Sequence, residues 1–115
     1  MNGMPTTADA AAMQGAVACF VERALSDPLL VPHWVGIDPV RLRRYARGFL
    51  LQALGGPEMT AGDAEARRAA GIDDPAFDRI VALATQCLRE GGVSADIVEL
   101  TRQRIEQMRS VIVTV

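Results

Sequence analysis

Hydrophobic positions recur every three or four residues in four blocks of the chain, and proline, glycine and aspartate punctuate the gaps. That spacing is the signature of amphipathic helices, each turning one apolar stripe inward. In the first block Met13, Val17, Phe20, Val21 and Leu25 share a face of a helix expected over Ala8 to Leu25, with Thr7 or Asp9 able to cap it. Asp27 ends it, because the residue before Pro28 is pushed out of the helical region. A short turn over Leu30 to Trp34 follows. "GIDPVRLRR" restarts the chain as helix, with Asp38 as cap and Pro39 at the first position, where a missing N–H costs nothing. Leu42, Ala46, Phe49, Leu50 and Ala53 form its inner face, and Gly55-Gly56-Pro57 stops it.

A short helix is expected over Asp63 to Ala70, closed by Gly71. "DDPAFDRIVALATQCLRE" then reads as a helix capped by Asp74, with Phe77, Ile80, Val81, Ala84, Cys87 and Leu88 on one stripe and Gly91-Gly92 at its end. A last helix is expected from near Ser94 to about Val111, its end "SVIVTV" being β-branched and free to fray or extend. No other stretch alternates like a strand. The pattern predicts an all-α fold in one domain, residues 1–115, with residues 1–7 as a disordered start.

Composition narrows the function classes. A net charge of −2 lacks the basic excess of a general nucleic-acid binder. No apolar run approaches the ~20 residues of a membrane-spanning helix, and the start has no positive segment of a secretory signal. All 12 basic residues are arginine, which with the abundant Ala and Gly fits coding bias of a GC-rich genome. Cys19 and Cys87 lie far apart with no metal-type spacing, and fit two buried thiols of a cytoplasmic protein in a reducing compartment rather than a disulfide.

The order of helices and breaks resembles the group I truncated haemoglobins, short bacterial and protist globins, over roughly Ala8 to Val113. "FVERALSDPLLVPHWVG" is similar to the family's FYxRVLxDPxLxPFFxG, "FLLQALGGPE" to FLxxALGGPxxYTG, and "GIDDPAFDRIVALATQCLREGGV" to GIxxxHFDxVxxxLxxALxxxGV. The resemblance implies a two-over-two helical sandwich, a globin-like fold with a haem pocket. It also implies where the family's functional residues fall. The proximal histidine that binds haem iron precedes the isoleucine of "GI" by five residues, and counting back from Ile72 gives Arg67. A guanidinium is always protonated near neutral pH and has no lone pair to offer a metal. The distal tyrosine falls on Val21 and the distal glutamine on Ala46, which removes the groups that hydrogen-bond bound oxygen. Trp34 stands for the aromatic residue that packs on the haem face.

On this reading the former haem pocket is lined by Val21, Trp34, Leu42, Tyr45, Ala46, Phe49, Arg67, Ile80, Ala84 and Ile105. His33, the one histidine, is either a substitute iron ligand, a pocket acid–base group, or a surface imidazole at a turn. Tyr45 is either a phenolate ligand or a ring over the core edge with its hydroxyl wet. Cys87, in an apolar stripe, reads as a packed thiol before a ligand. Arg41, Arg43, Arg44 and Arg47 could hold a carboxylate or phosphate, or be a solvated face. Arg67 and Arg68 are expected outside unless a carboxylate meets them. Arg104 and Thr101 fall near an apolar line and hint at a polar or closed pocket floor.

No nucleophile–base–acid set and no phosphate loop is visible. The leading expectation is a truncated-haemoglobin-like protein that has lost haem ligation and acts as a non-haem binding, regulatory or partner protein, with an unknown small molecule or protein as partner, no nucleic acid and no membrane, and homo-oligomerisation open. The alternative is a haem protein with a non-standard axial ligand from His33, Tyr45 or a cysteine. A third is a small-molecule enzyme using His33, Tyr45, Asp63 or Glu65 as acid or base.

Overall fold

The computed structural model describes residues 7–56 and 70–113, with side chains from residue 10 on. Its helices are α1 (Thr7–Ser26), a single 3-10 turn η1 (Val31–Trp34), α2 (Pro39–Ala53), α3 (Asp74–Glu90), α4 (Ala95–Gln107) and a last short turn α5 (Arg109–Ile112). No strand occurs among the described residues. Residues 57–69 lie outside the description, and with them all of the expected Asp63–Ala70 helix except Ala70, which is helical. Arg67, Arg68, Asp63 and Glu65 therefore have no described position.

The helices form two packed pairs. α1 lies against both α3 and α2, α4 lies against α3 and α2, and η1 rests on α1. Along their mutual seam sit Val17, Phe20, Leu30, Leu50, Phe77, Leu88 and Ile105, all essentially buried. All but Leu30 belong to the apolar stripes that the helical spacing nominates, and their removal from water is the main force holding the layers together.

The helix ends follow the sequence punctuation closely. Asp38 accepts from the Arg41 amide at 3.0 Å, and Pro39 occupies the first turn of α2. At the other end Gly55 takes φ 100°, so its N–H reaches Gln52 O and the Gly56 N–H reaches Leu51 O. That is a Schellman closure, which satisfies two carbonyls the helix would leave bare. A Cβ on Gly56 would come within 2.8 Å of Leu51 O, so the second glycine is required by contact as well. Gly92 repeats the closure on α3, at φ 85°, with Val93 N bonded to Leu88 O and the Val93 side chain buried.

The side chains of Thr7 and Asp9, expected to cap α1, lie outside the description. Two expectations need correction. The cap of α3 is Asp73, not Asp74: the Asp73 carboxylate accepts from the Ala76 amide at 2.9 Å, while Asp74 sits inside the first turn. The last helix breaks at Met108. Beside the break Arg109 bonds to Asp74, Asp78 and Glu106, and its guanidinium lies 4.5 Å over the Phe77 ring. These contacts tie α5 to the start of α3 and turn Ile112 inward, where it is buried.

The corner after α1 is the most heavily bonded point of the fold. Asp27 is 6% exposed. Its backbone carbonyl accepts from Leu30 and Val31, and its carboxylate accepts from the Leu29 amide and from Arg79 of α3 at 2.8 and 2.7 Å. The Arg79 hydrogen bond, against the opposing effect of burial, holds the carboxyl below its ordinary value. A carboxyl whose folded value is depressed adds stability above its unfolded value and loses it as pH falls through the folded one. Asp27→Asn is expected to cost about 1–3 kcal/mol near neutral pH. It should also flatten the fall in stability below pH ~4. Chemical denaturation across that range checks both; an unchanged acid limb would remove Asp27 from the account.

Candidate functional site

Between α1, α2 and α3 the layers leave a gap. Phe20 and Ala24 of α1, Trp34 of η1, Leu42, Tyr45, Ala46 and Phe49 of α2, Ile80 of α3, and Ile72 and Ile112 enclose a cavity of about 40 Å³. Its described walls are hydrocarbon and aromatic ring. Phe20 and Phe49 stack across it, ring centroids 6.0 Å apart and planes 25° off parallel, the offset geometry that aromatic faces prefer.

Trp34 is placed by a backbone need. α1 ends just before Pro28, which has no N–H, so the carbonyl of Ala24 four residues earlier has no helical partner. The Trp34 indole N–H donates to that carbonyl at 2.8 Å. One hydrogen bond thus closes a helix end and fixes the ring on the cavity wall.

The expected pocket residues divide. Trp34, Leu42, Tyr45, Ala46, Phe49 and Ile80 all line the cavity. Val21, Ala84 and Ile105 are buried in the helix seam instead, away from the described walls. Arg67 lies outside the described residues. Missing from the expectation were Phe20, Ala24, Ile72 and Ile112. Phe20 and Ala24 precede and follow Val21 at helical spacing, so a one-position rotation of α1 would have found them. Ile112 was hidden by the unforeseen break at Met108.

His33 neither lines the cavity nor stands free at the surface. Its side chain is half-buried, Nδ1 lies 3.1 Å from the Ala70 carbonyl oxygen, and Nε2 lies 4.0 Å from Asp73. It therefore staples η1 to the segment that leads into α3. Tyr45 is 8% exposed, deeper than a ring over the core edge. Arg104 does not enter the floor: its Nη1 lies 3.4 Å from the Ala53 carbonyl, at the end of α2. The Thr101 hydroxyl donates to Ile97 O in its own helix at 2.7 Å, and Thr101 is not among the residues that line the cavity.

Of the arginine cluster, Arg43 pairs with Glu22 of α1, and that bond holds the Glu22 carboxyl below its ordinary value. Arg47 rims a shallow groove with Met13, Leu51 and Leu54. Arg41 and Arg44 are exposed. Large apolar side chains left in water gather near η1: Leu29, Val31, Val35 and Val40, with Leu100 and Val111 elsewhere.

The residues present do not fit a histidine-ligated haem. The only histidine of the chain is bonded elsewhere, and no group of three or more potential metal-ligating side chains occurs among the described residues. No buried side-chain polar atom among them lacks a partner, so no orphaned donor points at a missing group. The volume is small beside the roughly 300–1,000 Å³ typical of organic-ligand sites. The arrangement can hold a small apolar molecule, or close on itself.

No protein-family model matches the chain. A curated relative, group 1 truncated hemoglobin GlbN of Nostoc commune, is 30% identical over 93 residues, 79% of this chain and 79% of that protein. The crystal structure of THB4 from Chlamydomonas reinhardtii superposes with a TM-score of 0.74 at 22% identity, covering 92% of this chain and 94% of that one. A truncated hemoglobin from Tetrahymena pyriformis, crystallised as a mutant in its Fe(III) form, gives 0.70 at 24% identity, with 87% of each chain covered. At such identities the two structures speak to the fold alone.

Truncating the wall tests its energetics. Trp34→Phe keeps an aromatic ring but strips the Ala24 carbonyl of its donor. We expect a loss of about 1–2 kcal/mol, against about 3–5 kcal/mol for Phe49→Ala, which opens the cavity. Urea melts of the two variants rank them, and a neutral Trp34→Phe would mean that the hydrogen bond holds nothing.

Proposed function

The chain belongs to the group 1 truncated haemoglobin family, and from that membership we propose that it has given up histidine ligation of haem iron and keeps its apolar cavity as a non-haem binding site. The supporting observation is His33: the chain's one imidazole serves as a staple to Ala70 and Asp73, off the cavity wall. By resemblance the proximal position carries Arg67, which cannot ligate iron. The apolar lining and the satisfied polar groups agree with an occupant recognised by shape and hydrophobicity, either a small apolar molecule or the apolar end of a larger one. The protein then acts through what binds there, as a carrier, regulator or partner. The exposed apolar side chains around η1 are compatible with a protein partner at the cavity's edge.

A second reading is favoured by Tyr45 alone. Among the described cavity-lining residues it is the one whose heteroatom could ligate ferric iron as a phenolate. In that case the protein binds haem through a non-standard axial ligand.

Titration with haemin separates the two. Wild type is expected to show no sharp Soret band, and Arg67→His to gain one. Xenon under pressure, small enough for a cavity of about 40 Å³, should raise the melting temperature of the wild type by mass action, and Ala46→Leu, which fills the cavity, should abolish the rise. Stoichiometric haem binding by the wild type, lost in Tyr45→Phe, would instead establish the second reading.

A further inference from the structure

One pair of reactive side chains has no part in the cavity. Cys19 of α1 and Cys87 of α3 are 68 residues apart in sequence, yet their sulfurs lie 2.6 Å from each other. Both are free thiols. Cys87 is essentially buried, while Cys19 is partly open to solvent. One turn further along the same two helices, Arg23 bridges to Glu90 at 2.6 and 3.1 Å. The helix pair is therefore already held in the register that brings the sulfurs together, by an ion pair and by the broad α1–α3 seam. Closing the 2.6 Å separation to an S–S bond of ~2.05 Å asks a shift of about half an ångström at the sulfurs.

We propose that Cys19 and Cys87 form a redox pair that a hydroperoxide converts into a disulfide clipping α1 to α3 within the folded chain.

The two thiols have different parts. Burial and the hydrogen bond with Cys19 push the Cys87 thiol up to about 12. Cys87 thus keeps its proton. Cys19 is the one a reagent can reach. The Cys19 sulfur attacks the peroxide: an S–O bond forms, the O–O bond breaks, and the departing oxygen leaves with the thiol proton as water or alcohol. This gives a sulfenic acid at Cys19. The Cys87 sulfur then attacks the Cys19 sulfur: the S–S bond forms, the S–O bond breaks, and hydroxide leaves with the Cys87 proton as water. Two thiols lose two electrons in all, and the peroxide gains them. Because Phe20 follows Cys19 directly, and Ile80 shares a helix with Cys87, the clip ties together two walls of the cavity.

The test treats the reduced full-length chain with a few equivalents of hydrogen peroxide under native conditions. Wild type should form no interchain disulfide, lose the mass of two hydrogen atoms per chain, and lose both titratable thiols. A non-reduced peptide map should join Cys19 to Cys87. The melting temperature should rise by on the order of 10 °C and return with dithiothreitol. Cys87→Ala should stop at a Cys19 sulfenic acid trapped by dimedone, and Cys19→Ser should leave Cys87 reduced. The proposal is overturned if native wild type over-oxidises Cys19 while Cys87 stays alkylatable, or if the disulfide joins two chains. It is equally overturned if the intramolecular disulfide forms no faster than in the urea-unfolded chain.

Discussion

An N–H that Pro28 does not possess organises one end of this molecule. Its absence leaves the Ala24 carbonyl bare at the end of α1, in a part of the fold that is buried. An unpaired buried carbonyl costs as much as a lost hydrogen bond. The chain answers by folding η1 back so that the Trp34 indole donates there. The same corner needs Asp27 to turn the chain, and Asp27 is held from below by Arg79 of α3. The direction of α1, the seat of η1 on it and the position of the aromatic ring over the cavity are thus consequences of one dipeptide, Asp27-Pro28. The cavity exists where it does because this corner sets how far the first helix stands from the second.

How much of this was legible in the sequence depends on the range of the forces involved. Helix bodies and most ends were readable, because apolar spacing, Asp38-Pro39, Gly55-Gly56 and Gly91-Gly92 act within a few residues of themselves. The cap of α3 was missed by one position because "DDP" offers two adjacent carboxylates, and only the backbone torsions of Asp73 aim its oxygen at Ala76 N. The break at Met108 was unreadable. The groups beside it, Asp74 and Asp78 around Arg109, come from another helix, and no local pattern announces a guanidinium shared among three carboxylates and a ring.

The cavity lining was legible in part. On α2 the expected Leu42, Tyr45, Ala46 and Phe49 all line the cavity, because the inner residues of that helix recur without ambiguity. On α1 the apolar residues Val17, Phe20, Val21 and Ala24 spread over a wide arc, all buried. Spacing alone does not say which side of that arc faces the gap and which faces the seam with α3. A family position transferred by counting picked Val21, and the structure turns Phe20 and Ala24 to the cavity. The cysteine pair shows the same limit from the other side. A separation of 68 residues carries no signal until the α1–α3 packing brings the sulfurs to 2.6 Å.

The described frame closes itself with its own groups. The Ala24 carbonyl near the end of α1 meets Trp34, carbonyls at the ends of α2 and α3 meet the amides of their glycine corners, and the N-termini of α2 and α3 meet Asp38 and Asp73. Leu30, Ser94 and Met108 make no side-chain bond at the starts of η1, α4 and α5. Of these closures only the Trp34–Ala24 bond touches the cavity wall, and no buried side-chain polar atom among the described residues lacks a partner. Such a frame separates two demands that a cofactor-built fold combines: holding the helices, and presenting a ligand to a metal. Where the first is met by the chain itself, the residue at the second can change without unfolding the protein. Trp34, Phe20 and Phe49 are held around the remaining space by the chain's own contacts.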